Sequence, residues 1–111
     1  MRDWDDVLAF ALALPGTELA TSWGKPAIKV RGKPFVYTGR EAGSCAVACP
    51  IEDKELLMET DPDTFWETDH YRGWPAVLVR FGGDGERAQA VIERAWWDRA
   101  GRALRDGRAR P

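Results

Sequence analysis

Trp4, Val7, Leu8, Ala11 and Leu12 recur three and four residues apart, the period of a helix with one apolar face. The spacing predicts a first helix from Asp3 to Leu14. Asp3 can cap it, Asp5 and Asp6 suit the positive end of its dipole, and Pro15-Gly16 stops it. The period then changes to two. A strand is expected over Glu18–Ser22. Ala27–Arg31 and Pro34–Thr38 alternate cleanly across Gly32-Lys33, a hairpin pattern. Pro34 biases Lys33 toward extended geometry, so a simple two-residue turn is not assured. A further strand is expected over Ser44–Ala48.

Pro50–Thr60 predicts a short helix with Leu56, Leu57 and, at its start, Ile51 turned inward. Asp61-Pro62 has the form of a cap followed by a first-turn proline, with a helical turn running to Phe65. Ala76–Phe81 predicts a strand with Val77 and Val79 on one face, ended by Gly82-Gly83. The last helix begins near Asp84 and carries an apolar stripe of Ala88, Val91, Ile92, Ala95, Trp96 and Ala100. Arg99, Arg102 and Arg105 gather at its end, where cations are favoured. Residues 106–111 are expected to form a flexible tail. The order helix, strands, helix, strands, helix predicts a two-layer α+β domain with an antiparallel sheet, α-β(3-4)-α-β(1-2)-α, over residues 1–105.

At 111 residues the chain has room for one core. Such a domain buries roughly 65% of its unfolded surface. Six tryptophans in so short a chain are expected to pack mostly inside. No apolar run approaches the ~20 residues of a membrane span. The first residues lack the apolar stretch of a signal peptide. A cytoplasmic address without membrane contact is therefore expected. Cys45 and Cys49 lie four residues apart on a predicted strand, ~13 Å between α-carbons. That exceeds disulfide reach and puts both on one face, as small buried hydrophobes. His70 alone could add a soft metal ligand, so neither a metal nor another cofactor is expected.

Charge changes the picture. Trp23 to Arg40 holds Lys25, Lys29, Arg31, Lys33 and Arg40 with no carboxylate, while residues 41–70 hold nine carboxylates against Lys54. On the predicted strand Lys29 and Arg31 share one face, and Ile28 and Val30 the other. Lys25 and Lys33 would flank that face, with Arg40 near its far end. The hairpin could thus be cationic outside and apolar inside, with Tyr37 or Trp23 stacking on a base. The plainer alternative is a solvated strand face with lysines guarding an edge. A sequence pI of about 5.4 argues against a dedicated nucleic-acid binder.

Several segments carry a family resemblance. Leu14-Pro15-Gly16, Trp23-Gly24-Lys25-Pro26 and Lys33-Pro34-Phe35 resemble the first half of the MmcQ/YjbR-like family. Thr68-Asp69-His70-Tyr71-Arg72-Gly73-Trp74-Pro75, followed by Val77-Leu78-Val79-Arg80, is similar to its second signature, and Ala95-Trp96 fits its last helix. The resemblance spans residues 3–104. It implies a compact bacterial α+β domain, a twisted antiparallel sheet with helices packed on it. It also implies a DNA-binding label, which rests on likeness to a viral "double-wing" domain. Related two-layer folds bind proteins as chaperones. The family supplies no catalytic residue.

Two functions follow as expectations. One is weak binding of DNA or another polyanion through Lys25, Lys29, Arg31, Lys33 and Arg40. The other is a protein-interaction or chaperone-like module using the open sheet side or an aromatic groove. Trp23, His70, Tyr71 and Arg72 form a second candidate ligand or loop site. An enzyme would pair His70 with Asp69 or Glu67 as a base, but no nucleophile converges there, so no catalytic activity is expected. The structural alternative has His70 and Arg72 fixing the loop by hydrogen bonds while Tyr71 and Trp74 pack it down. Gly83-Asp84-Gly85-Glu86-Arg87-Ala88 fits a dinucleotide pattern, but its two carboxylates would face a pyrophosphate. A tight turn with a helix cap is the expected structure.

Overall fold

The side chain of Asp3 accepts the backbone N–H of Asp6 at 2.9 Å and opens α1, Trp4–Ala11. The helix stops short of the predicted Leu14. Ala13 and Leu14 donate to Phe10 and Ala11, three residues back, so the last turn tightens ahead of Pro15. The computed structural model describes residues 1–38 and 41–111. After α1 come β1 (Thr17–Ser22), β2 (Lys25–Val30), β3 (Lys33–Thr38), β4 (Ser44–Ala48) and α2 (Ile51–Thr60). Then follow β5 (Phe65–Trp66), a 3-10 turn (Asp69–Tyr71), β6 (Ala76–Arg80), α3 (Gly85–Ala100) and α4 (Arg102–Arg105). The six strands form one antiparallel sheet in the order β1-β2-β3-β4-β6-β5, so the α+β expectation holds.

Both tight hairpins are built alike. Ser22 pairs with Lys25 around Trp23-Gly24, and Val30 pairs with Lys33 around Arg31-Gly32. All four turn residues have positive φ, which a type I′ turn requires at both central positions. The second turn is thus Arg31-Gly32, not the predicted Gly32-Lys33. Pro34 does not obstruct it, because Lys33 already begins the strand. A register shift between Ile28 and Lys29 then absorbs the extra residue on β3.

One sheet face carries the main core. Ile28, Val30, Phe35, Val47 and Val77 are closed to solvent beneath α1 and α3, with Ile92 of α3 buried in the same cluster. Trp96 lies fully buried among them, its indole Nε1 donating to the Pro15 carbonyl at 2.8 Å. Cys45 and Cys49 are free thiols in the same layer, as expected. Burial pushes Cys45 up to about 12 and Cys49 up to about 11. Asp84 caps α3 by accepting from Arg87 N–H at 3.1 Å, so the glycine-rich stretch is a turn and cap. In the last residues Arg108 reaches Glu93 at 3.2 Å and covers the Trp96 ring.

Two expectations about the middle of the chain are corrected. The turn after Asp61 forms, its carbonyl accepting from Thr64 and Phe65, but Phe65 then extends into an edge strand. In α2 Leu57 packs against the core as expected, but the fully buried residue is Lys54, 2% exposed, whereas Leu56 and Ile51 face solvent. Lys54 takes that position because buried carbonyls and a carboxylate await it. No helix is long and apolar enough to cross a membrane among the described residues.

A candidate aromatic groove on the open sheet face

Among the described residues no α-helix packs on the cluster of the other sheet face. Register places Ala27, Tyr37, Ala46, Leu78 and Trp66 in one row across five strands on that side. The segment from Glu67 to Pro75 folds over the middle of the row. Tyr71 is buried there with Ala46, Ala76 and Leu78. Between this segment and the first hairpin lies a groove of about 640 Å³. Trp23, Tyr37, Tyr71, Trp74 and His70 supply its rings. Lys25, Ser22, Thr38, Pro34 and Ala76 complete it. Among these described lining residues none is a carboxylate, in a chain with 18 of them.

Trp23 is held at the groove mouth by its turn. It is 96% exposed and its φ is 55°, a left-handed conformation that a bulky side chain rarely adopts. Trp74 is 58% exposed across the groove. The His70 ring is stacked with that of Trp74 at 6.5 Å and meets Tyr71 edge-on at 5.0 Å. Burial holds the Tyr37 phenol above its ordinary range, so it stays protonated.

Lys54 buttresses the groove wall from beneath. Its ammonium donates to the carbonyls of Tyr71 at 2.9 Å and Trp74 at 2.8 Å, and pairs with Glu67 at 2.7 Å. Three donors thus meet three acceptors. The loop is fixed by Lys54, which in the sequence stands only as the one cation among the carboxylates of residues 41–70. The expected fastening by Arg72 is corrected: Arg72 pairs with Asp69 at 2.7 Å out in solvent. Trp74 is likewise a displayed ring and does not pack the loop down.

The basic block divides. Lys25 lines the groove, and Lys29 shares its sheet face, directly opposite Glu18 on β1. Arg31 does not share that face, contrary to expectation. It lies in the turn, and its guanidinium lies against Gly101 on the helix side. Lys33 pairs with the core residue Val30 and so also belongs to the helix side. Arg40 falls outside the described residues. The structure adds Arg80, an exposed residue on β6 whose guanidinium lies 4.3 Å above the Trp66 ring. Its signal in the sequence was a lone cation ending an apolar strand. Among the described residues no group of three or more His, Cys, Asp or Glu could hold a metal ion.

The chain is 28% identical to uncharacterized protein Mb2600 of Mycobacterium bovis and, equally, to uncharacterized protein Rv2570 of Mycobacterium tuberculosis. Each alignment runs over 120 residues and covers 94% of this chain and 93% of the relative. No solved structure matches significantly. A protein-family model described as YjbR matches residues 12–98, from the end of α1 through most of α3, and the chain belongs to the YjbR family.

Proposed function

We propose that the aromatic groove binds single-stranded nucleic acid weakly and with little sequence preference. Bases stack on Trp23 and Trp74, and phosphates meet Lys25 and, beyond it, Lys29. The observation that carries this reading is Trp23. A tryptophan in a left-handed turn costs on the order of 1–3 kcal/mol and packs against nothing that repays it within the fold. Local rules are broken in this way at functional positions. A cation beside open rings, without a carboxylate in the lining, suits an unstacked base with its phosphate. Stacking gives about 1–3 kcal/mol per base, so two rings support modest affinity. The DNA-binding label implied by the family points the same way without naming a residue. In this reading His70 orients Trp74 and does no proton transfer.

The test is a titration of tryptophan fluorescence with oligothymidylate at low salt. Quenching that weakens as salt rises, and that disappears in W23A, supports the reading. An unresponsive spectrum at low salt overturns it. A second reading, a peptide-binding module, is favoured by β1. This edge strand carries neither lysine nor proline and exposes Leu19 (54%). Salt-independent capture of an extended apolar peptide would favour it instead.

A further inference from the structure

We infer that the binding track does not end at the groove but crosses the sheet to a second phosphate subsite made by Arg80, Trp66 and Ser44. This rests on the single-strand reading and names its length and far end. Register carries the geometry. Lys25 lies two residues from Ala27, Ser44 two from Ala46 and Arg80 two from Leu78. Given antiparallel pairing, all three step off the central row toward the same side. Ser44 pairs directly with Arg80. Lys25 and Arg80 therefore stand on one line across the strands, three inter-strand spacings or ~14 Å apart. The Glu67–Pro75 segment enters β6 at Ala76, on the opposite side of the central row from this line.

The far end is built to hold a guanidinium flat. Trp66 Nε1 donates to Ser44 Oγ at 3.0 Å, which orients the indole, and Arg80 lies on its face at 4.3 Å. An arginine stacked in this way keeps its N–H edges directed outward, the fork that suits a phosphate. Arg80 makes no ion pair with a described carboxylate. Glu41, just ahead of β4, is not paired with Arg80 either. The plainer role for Arg80 is to cover Trp66 at the sheet edge. That role predicts a change in stability and none in ligand-length dependence.

Oligothymidylates of two and ten nucleotides separate the cases, measured on the full chain at low salt with wild type, K25Q and R80Q. K25Q weakens both lengths. R80Q leaves the dinucleotide unchanged, weakens the ten-mer several-fold and lowers its salt slope by about 0.7. An unshifted melting temperature in R80Q excludes a folding effect. If R80Q matches wild type on the ten-mer while both oligonucleotides bind, the subsite is refuted and the groove survives. Equal weakening at both lengths also refutes it. If neither oligonucleotide binds wild type, the parent reading falls and this inference falls with it. Equal competition by polyglutamate would show charge without base stacking and overturn the aromatic track.

Discussion

The ammonium of Lys54 donates to the carbonyl of Trp74 at 2.8 Å. This bond couples a buried position on α2 to a ring displayed at the groove. With Tyr71 O and Glu67 as the other acceptors, the ammonium is fully used. Replacing it by an apolar side chain leaves a carboxylate and two carbonyls without their partner. Lys54→Met is expected to lower stability by about 3 kcal/mol, read as a reduced urea midpoint. Glu67→Gln is expected to cost less, because Glu67 is 23% exposed and water replaces part of the loss. Equal urea midpoints for Lys54→Met and wild type would remove the buttress from the account.

Trp23 makes the opposite prediction. Its backbone conformation suits asparagine or glycine, and its side chain touches little. Trp23→Asn is expected to leave stability unchanged or raise it by up to about 1 kcal/mol, while removing oligonucleotide binding. Thermal melting and the fluorescence titration check the two halves separately. A marked loss of stability would show that Trp23 is part of the fold after all.

Periodicity revealed most of the architecture because the main core obeys it. Ile28, Val30, Val47, Val77, Val79, Ile92 and Trp96 all fall on the faces their spacing predicts. The errors lie where a tertiary partner or a turn overrides local pattern. Lys54 is buried because of carbonyls about twenty residues away, which a helical wheel cannot show. Leu56 is exposed for the same reason: its helix turns a lysine inward. The Arg31-Gly32 turn displaced one basic residue from the strand and sent its guanidinium to the helix side. The groove was half legible. Trp23, His70 and Tyr71 stand out in the sequence, but convergence of residues 23–38 with 70–76 depends on a segment folding back over the sheet.

The two thiols predict an alkaline loss of stability. Folded Cys45 and Cys49 hold their protons up to about 12 and about 11, against an unfolded value of 9.0. Their contribution is therefore complete below pH 9.0 and is lost as pH rises toward 11 and beyond. In that window each thiol lowers stability by about 1.4 kcal/mol per pH unit, because the unfolded chain ionises first. Tyr37, also raised, adds to the slope at its upper end. Urea titrations at pH 8 and pH 10 are expected to show the fall, and the double variant Cys45→Ala, Cys49→Ala should flatten it. Rapid reaction of either thiol with a disulfide reagent under native conditions would contradict the burial.

Arg31 and Gly101 give the sharpest separation between charge and position. Gly101 has φ +80°, and a β-carbon there would run into an Arg31 guanidinium nitrogen. Gly101→Ala therefore meets two costs, the left-handed backbone and the displaced arginine. The first is on the order of 1–3 kcal/mol and persists in any background. The second vanishes once Arg31 is shortened, so Gly101→Ala is expected to cost less in an Arg31→Ala chain than in wild type. The same Arg31→Ala chain tests the binding face. Arg31 belongs to the sequence's basic block yet lies on the helix side, so its removal should leave oligothymidylate affinity within twofold of wild type. Lys25→Gln, one charge removed from the same block, should weaken it clearly. Equal losses would mean that the block acts through net charge and that the groove does not define the site.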